Sequence, residues 1–540
     1  IGHAIDAYLN VTDTAGDEGA IFSSLVRDVS LSPLQWQQLK AEDDSTTLTI
    51  NGEPVMVEQA DVSYIGGDGD WYDPANWSNG SVPGSNDDVT ITSDNSDITI
   101  TFSEGNPSVN SLSLFAENNG SLALSGLTSY EGANSNTSIQ ATGGANIDLS
   151  SITTLSGSTG FREQLLIEAI NGTINLSNLT DITGGATQVL ADGTNSNIDL
   201  SSLTRFEDNN DNADSQLSAL NNGTIQTPNL DSLNGVSLLF NSSGSFDAEQ
   251  ITSVANGGIT VEGTAANLSK LINVSDSRVT LRNGGTADFS KVSDLDGASL
   301  FVDNGVTLEL PQVTSYEGAN SNTSIQATGG ANIDLSSITT LSGSTGFREQ
   351  LLIEAINGTI NLSNLTDITG GATQVLADGT NSNIDLSSLT RFEDNNDNAD
   401  SQLSALNGGK INLDQLSEIS GVEVLPITAD GTNSVIDLFQ ISESNSNINP
   451  TEENGGDIIF LEEAPDEPSN PPAVVSVTPN QTALNETDNN EVTFTIETEN
   501  AAGETVDLSF NGDIDDADVE GSLPNSVTVE NDDTATVNLT

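Results

Sequence analysis

The chain has no cysteine, a single histidine (His3), a single methionine, and only four lysines, Lys40, Lys270, Lys291 and Lys410. Without cysteine there is no disulfide framework, no thiolate metal site and no cysteine nucleophile. His3 has no serine, cysteine or metal-ligand set within sequence reach, so histidine-based catalysis is not expected. No apolar run reaches the roughly 18 residues that mark a spanning helix, and no phosphate-cradling or dinucleotide fingerprint follows a strand. Aromatic residues make up only 4% of the chain, which speaks against the aromatic platforms of a glycan-processing groove.

Positive charge is the other scarcity. Eighty Asp and Glu against eleven Lys and Arg leave a formal charge of -69 in 540 residues. Such a polyanion repels nucleic acid and anionic lipid, and it folds best where salt or divalent cations screen its self-repulsion. Acidic, aromatic-poor chains are often disordered, but here 34% of the residues are hydrophobic and they are evenly spaced. The chain opens at Ile1 without a signal-like segment, and is expected to be a processed piece of something longer.

Repetition dominates what is present. Thr128 to Asn221 recurs without a change as Thr314 to Asn407, an offset of 186 residues. Beneath this lies a shorter unit, apolar-x-apolar-x-x-apolar-x-x-apolar, as in Ile147-Asp-Leu149-Ser-Ser-Ile152-Thr-Thr-Leu155. Its first apolar positions are Leu122, Ile147, Ile174, Ile198, Ile225, Phe246, Ala266, Ala287, Leu308, Ile333, Ile360, Ile384, Ile411 and Ile436, spaced 20 to 27 residues apart.

Each unit alternates short period-2 segments with Gly, Asn and Asp punctuation, which reads as strands joined by turns with no room for a helix. A circuit of short strands that closes in some 21 residues and then repeats must stack coil on coil, apolar side chains inward. The expected fold is therefore all-β: a right-handed parallel β-helix of about 14 coils, on the order of 65 Å long at the inter-strand spacing.

The residue after each anchor should point outward. From Asp148 to Asp437 these positions alternate acid with amide almost throughout (Asp148, Asn175, Asp199, Gln226, Asp247, Asn267, Asp288), with Glu309 as the exception. Stacked carboxylates would repel by about 1 kcal/mol per neighbour even at high dielectric, and an amide in every second turn doubles their separation. The longer coils carry their extra residues at one place in the circuit, Ser156 to Gln164, Thr183 to Gln188 and Glu207 to Gln216, so these loops should gather on one side and make contacts.

Domain limits follow from shifts in this rhythm. Residues 1–62 form a small or truncated β-rich domain with one short helix expected at Ser32 to Lys40, and residues 63–461 the solenoid. Residues 462–472 are an acidic, Pro-rich linker, and residues 473–540 a β-sandwich with alternating strands such as Val492-Thr-Phe-Thr-Ile.

Residues 65–91 carry Trp71-Tyr-Asp-Pro-Ala-Asn-Trp77, Gly80, Pro83 and Asp88-Val-Thr-Ile91. This segment resembles one that opens the repeats of bacterial autotransporter-like and haemagglutinin-like surface proteins. Residues 473–540 resemble the Calx-beta family through Leu484-Asn-Glu486-Thr-Asp488, Glu491-Val-Thr-Phe-Thr-Ile, Thr505-Val-Asp-Leu and Gly512-Asp-Ile-Asp-Asp-Ala-Asp518, although Val519 stands where that family has an aromatic residue. The cluster Asp513, Asp515, Asp516 and Asp518 supplies the several oxygens that a hard cation wants, and the resemblance adds Glu486. Calcium is the expected cofactor.

Two weaker patterns need a reading. Asp208-x-Asn210-x-Asn212-x-Asp214, repeated at Asp394 to Asp400, has oxygens at alternate positions like half an EF-hand loop. Ala213 and Ala219 occupy the places of its turn glycine and bidentate glutamate, so a hydrated turn is expected there. Arg162 and Arg205 recur as Arg348 and Arg391, and salt bridges within acidic loops are the expected role of all four.

No catalytic residue is expected. The sequence points to a segment of a large extracellular, cell-surface protein acting as adhesin or structural stalk, with calcium-stabilised modules. Its expected partners are cell-surface glycans or other surface proteins, with self-association into filaments, and not nucleic acid or a membrane. The alternatives are a filament or sheath subunit, and a polysaccharide lyase or glycoside hydrolase built on a β-helix.

Overall fold

A computed structural model describes residues 60–461 apart from 211–213, 242 and 422, and the short paired segments 49–50 and 53–54. Beyond the solenoid it describes 473–480, 491–499, 501–510 and 522–539. The chain divides into two compact units, residues 1–461 and 462–540. The expected helix at Ser32 to Lys40 and the linker 462–472 lie outside the described residues.

The first unit is a parallel β-solenoid of about 16 turns. One face is a single parallel ladder of strands, starting at Ala60–Ser63, passing through Thr137–Thr142, Leu165–Ile170 and Thr187–Asp192, and ending at Ile448–Glu453. Its inward positions form an aliphatic column in which Ile139, Ile167, Val189, Leu217 and Leu238 register with one another, all buried. The second face carries the anchor positions. Leu122, Ile147, Ile174, Ile198, Ile225 and Phe246 stand in register, as do Leu308, Ile333, Ile360, Ile384, Ile411 and Ile436. Between these runs the anchors are Ala266 and Ala287, paired only with each other.

The third face stacks Tyr130, Leu155, Ile182, Phe206, Leu233 and Val254. The turn from second to third face closes with an Ile152 N–H donating to Leu149 O at 2.9 Å, repeated by Leu179 to Leu176 and Leu203 to Leu200. The turn from first to second face needs left-handed backbone, which explains the Asn punctuation there: Asn118, Asn171, Asn221, Asn357 and Asn407 all have positive φ, a conformation their short side chains tolerate.

The count of turns corrects the expectation of 14. Ile98 registers with Leu122, and Ile458 with Ile436, adding a turn at each end. Neither carries the full spaced motif, since Ser103 and Asn106 follow Ile98, and Glu463 and Asp466 follow Ile458, at the positions where the motif has its later apolar residues. The only helical element among the described residues is the 3-10 turn Pro74–Asn76, capped by Asp73.

Trp71 and Trp77 cover the N-terminal end of the core. Their rings meet edge-on with centroids 4.5 Å apart, Tyr64 packs edge-on against Trp77 at 5.1 Å, and Phe102 stacks on Trp71 at 5.5 Å. Trp77 Nε1 donates to Trp71 O at 2.7 Å. Asp70 accepts from the Tyr72 and Ser103 amides at 2.9 and 3.0 Å, which ties this segment to the next turn and holds its carboxyl below the usual range.

The second unit contains an antiparallel sheet of Ala473–Pro479, Val492–Glu499 and Thr534–Leu539 and a pair, Thr505–Asp507 with Ser526–Thr528. Ile496, Ala501, Val529, Ala535, Val537 and Leu539 form its core.

Candidate functional site: the loop-bearing corner

The extra residues of the longer duplicated turns lie between the third face and the first, after Thr154–Ser156, Asp181–Thr183 and Arg205–Glu207, so stacking brings these loops together at one corner. Ser158 and Ala186 form an antiparallel bridge across two of them. Asn209 N–H donates to Gly184 O at 3.0 Å, and the side chains of Gln164 and Gln188 both donate to Asp214 O, at 3.2 and 2.7 Å. The approach is so close at Gly185 that a Cβ there would overlap the Ser158 carbonyl oxygen, and Gly371 meets Ser344 in the same way.

The alternating Asp and Asn residues brace this corner. In the second copy Asp394 Oδ1 accepts the Asn396 amide at 2.8 Å, its Oδ2 accepts the Ser401 amide at 2.9 Å, and Asn396 Oδ1 accepts the Asn398 amide at 3.1 Å. The Asn396 amide group donates to Ser344 O and Gly346 O at 3.2 and 3.0 Å, as Asn210 does to Ser158 O and Gly160 O. The period-2 oxygens thus cap successive backbone turns two residues on. Both carboxylate oxygens of Asp394 are taken up by the backbone, and burial pushes the equivalent Asp208 carboxyl upward. The EF-hand-like spacing records a chain of turns.

Of the four duplicated arginines, two behave as expected. Arg205 Nε pairs with Asp181 at 3.1 Å and its Nη1 with Glu207 at 3.4 Å; Arg391 pairs with Glu393 and, at 3.4 Å, with Glu418. Arg162 and Arg348 depart from the expectation, since among the described residues neither forms an ion pair. Each sits at a loop tip with its guanidinium 5.2 Å from the ring centroid of the preceding Phe161 or Phe347. Both rings are 68% exposed. A lone Phe inside a loop has no periodic signal in the sequence, and the unchanged Gly-Phe-Arg-Glu in both blocks is the one hint of these phenylalanines there.

A shallow groove of about 510 Å³ lies beside the N-terminal cap, lined by Tyr72, Pro74, Val82, Pro83, Glu104 and Pro107 among others. Glu104 is the one carboxylate in its lining, where glycoside hydrolysis uses two. Among the described residues no group of three or more acids or histidines is arranged to hold a metal ion. The calcium set Glu486, Asp513, Asp515, Asp516 and Asp518 lies outside the described residues. No helix of the described residues is long and apolar enough to cross a membrane.

Comparison of the chain with protein families, with curated proteins and with solved structures returns no match.

Proposed function

We propose that this chain is a stalk segment of an extracellular surface protein, in which the solenoid is a spacer lengthened by duplication and the acidic C-terminal unit is stiffened by calcium at Glu486, Asp513, Asp515, Asp516 and Asp518. The observation that carries this reading is how the duplicated block docks. The first copy lays Ile139-Gln140-Ala141 on Leu114-Phe115-Ala116, and the second lays Ile325-Gln326-Ala327 on Leu300-Phe301-Val302, in the same register. At the far end Leu217 meets Leu238 while Leu403 meets Ile427. Each copy finds an equivalent aliphatic shelf, so the block adds length without a new kind of contact. The large negative charge and the resemblance of residues 65–91 to autotransporter-like surface proteins support the extracellular setting.

Deleting residues 128–313 tests the spacer. It joins Leu127 to Thr314 in place of the buried Val313 and lets the second copy dock where the first did. The expected product keeps its strand content per residue by circular dichroism and is shorter by eight turns, about 38 Å, in its maximum dimension by small-angle scattering. Loss of the strand signal would overturn the reading.

A further inference from the structure

The Phe161–Arg162 and Phe347–Arg348 tips are not explained by the solenoid's own folding. Their rings are the most exposed large apolar side chains among the described residues, at 68% each. Arg162 and Arg348 have φ of 59° and 61°, whereas every other described non-glycine residue with positive φ is Asn or Asp. Left-handed backbone is a conformation that arginine rarely adopts, and the surrounding loop enforces it. Asn210 and Asn396 tie down the carbonyls just before each tip, and Thr159 and Thr345 Oγ1 donate to Asn134 and Asn320 at 2.7 and 2.8 Å. A phenyl ring is thereby held in water on a stiff support, with guanidinium donors beside it that no acid of this chain occupies among the described residues.

Such a tip is one flat apolar face edged by hydrogen-bond donors. Its complement is a flat face of C–H groups rimmed by acceptor oxygens, which is the shape of a sugar ring. Polyanionic ligands of similar flatness, such as single-stranded nucleic acid or a polyuronate, would have to approach a chain of charge -69. The complement is therefore uncharged. The tips occupy the same corner eight strand steps apart, from Leu165–Ile170 to Leu351–Ile356, or about 38 Å along the axis. Two identical contacts at fixed separation suit a repeating polymer, where the second contact forms at high effective concentration.

We propose that the Phe161–Arg162 and Phe347–Arg348 tips are paired contact points for an uncharged polysaccharide strand. The proposal deepens the surface reading by naming a ligand class, and it fails separately from it, since the deletion above reads length alone.

The test is affinity electrophoresis of the full chain in native gels containing laminarin, xylan, mannan or hydroxyethylcellulose, with alginate as the anionic arm. Phe161→Ala, Phe347→Ala and the double variant are run alongside, and their thermal melts should match the parent because both rings are exposed. The parent is expected to be retarded by at least one neutral polymer. Each single variant should bind that polymer at least tenfold more weakly, and the double variant should migrate as in a plain gel. The proposal is overturned if no neutral gel retards the parent, if alginate alone does, or if the double variant is retarded like the parent. Single variants indistinguishable from the parent would overturn the pairing of the tips.

Discussion

Asn175 donates its side-chain amide to the Asp148 carboxylate of the preceding turn at 3.1 Å, and in the second copy Asn361 makes the same bond to Asp334 at 3.0 Å. Each of these residues also caps the turn that follows: Asp148 and Asn175 accept the amides of Ser150 and Ser177 at 3.0 and 3.1 Å. At these two rungs the outward column is hydrogen-bonded between turns as well as being a device for spacing charge.

Asn175→Asp should be destabilising for both reasons. It removes one donor and sets a third carboxylate between Asp148 and Asp199, one strand spacing from each. Two such repulsions come to about 2 kcal/mol at low ionic strength and less as salt screens them. Urea melts of the variant in low and high NaCl should show the gap to the parent narrowing with salt; a gap that does not respond to salt would contradict the electrostatic part.

The solenoid was legible because its two signals, apolar anchors and the acid-amide column, repeat at every turn and reinforce one another. What could not be read were features without a period. Ile98 and Ile458 lack the later positions of the motif, so the terminal turns escaped the count. The alternate oxygens of Asp394, Asn396 and Asn398 read as a turn because Ala399 and Ala405 stand where a calcium loop needs glycine and glutamate, but which amides they cap, such as that of Ser401, is set only by the fold. That Arg391 is paired while Arg348 has no ion pair among the described residues is likewise a matter of which acids the fold brings near.

Ile174 sits at the centre of the anchor column, in register with Ile147 and Ile198 and 1% exposed. Ile174→Asp buries a carboxylate without a partner and should cost at least about 4 kcal/mol, while Ile174→Val should cost about 1 kcal/mol. Ile360 lies in an identical sequence context, so Ile360→Asp provides an internal replicate. A silent Ile174→Asp in chemical denaturation would mean the column is not packed as described.

The calcium proposal predicts that the full chain melts higher in calcium than in chelator at fixed ionic strength. A cation at 100 times its dissociation constant stabilises the folded form by about 2.7 kcal/mol. Replacing Asp515 and Asp516 together by alanine should abolish that shift while leaving the chelator melt in place. A shift of equal size in parent and variant would assign calcium to general charge screening.

Asp437 ends the outward column, and its surroundings reverse the usual behaviour of a carboxylate. Its strand neighbours are Asn412 on one side and Ile459 on the other, and its Oδ1 is buried with no hydrogen-bond partner. Burial first, and then the charge of and hydrogen bond with Asp414, push its pKa up from 3.8 to about 6. Between these values the folded chain holds a proton that the unfolded chain has released, so stability falls as pH rises through that window and is level above it. Asp437→Asn removes the penalty. At pH 7 the variant should be more stable than the parent by about 1 kcal/mol, a figure discounted for partial solvent screening. Below pH 4 the two should coincide. Denaturant melts from pH 3.5 to 7.5 check both limbs, and a variant less stable than the parent at pH 7 would show that the ionised carboxylate is a favourable partner in the last turn.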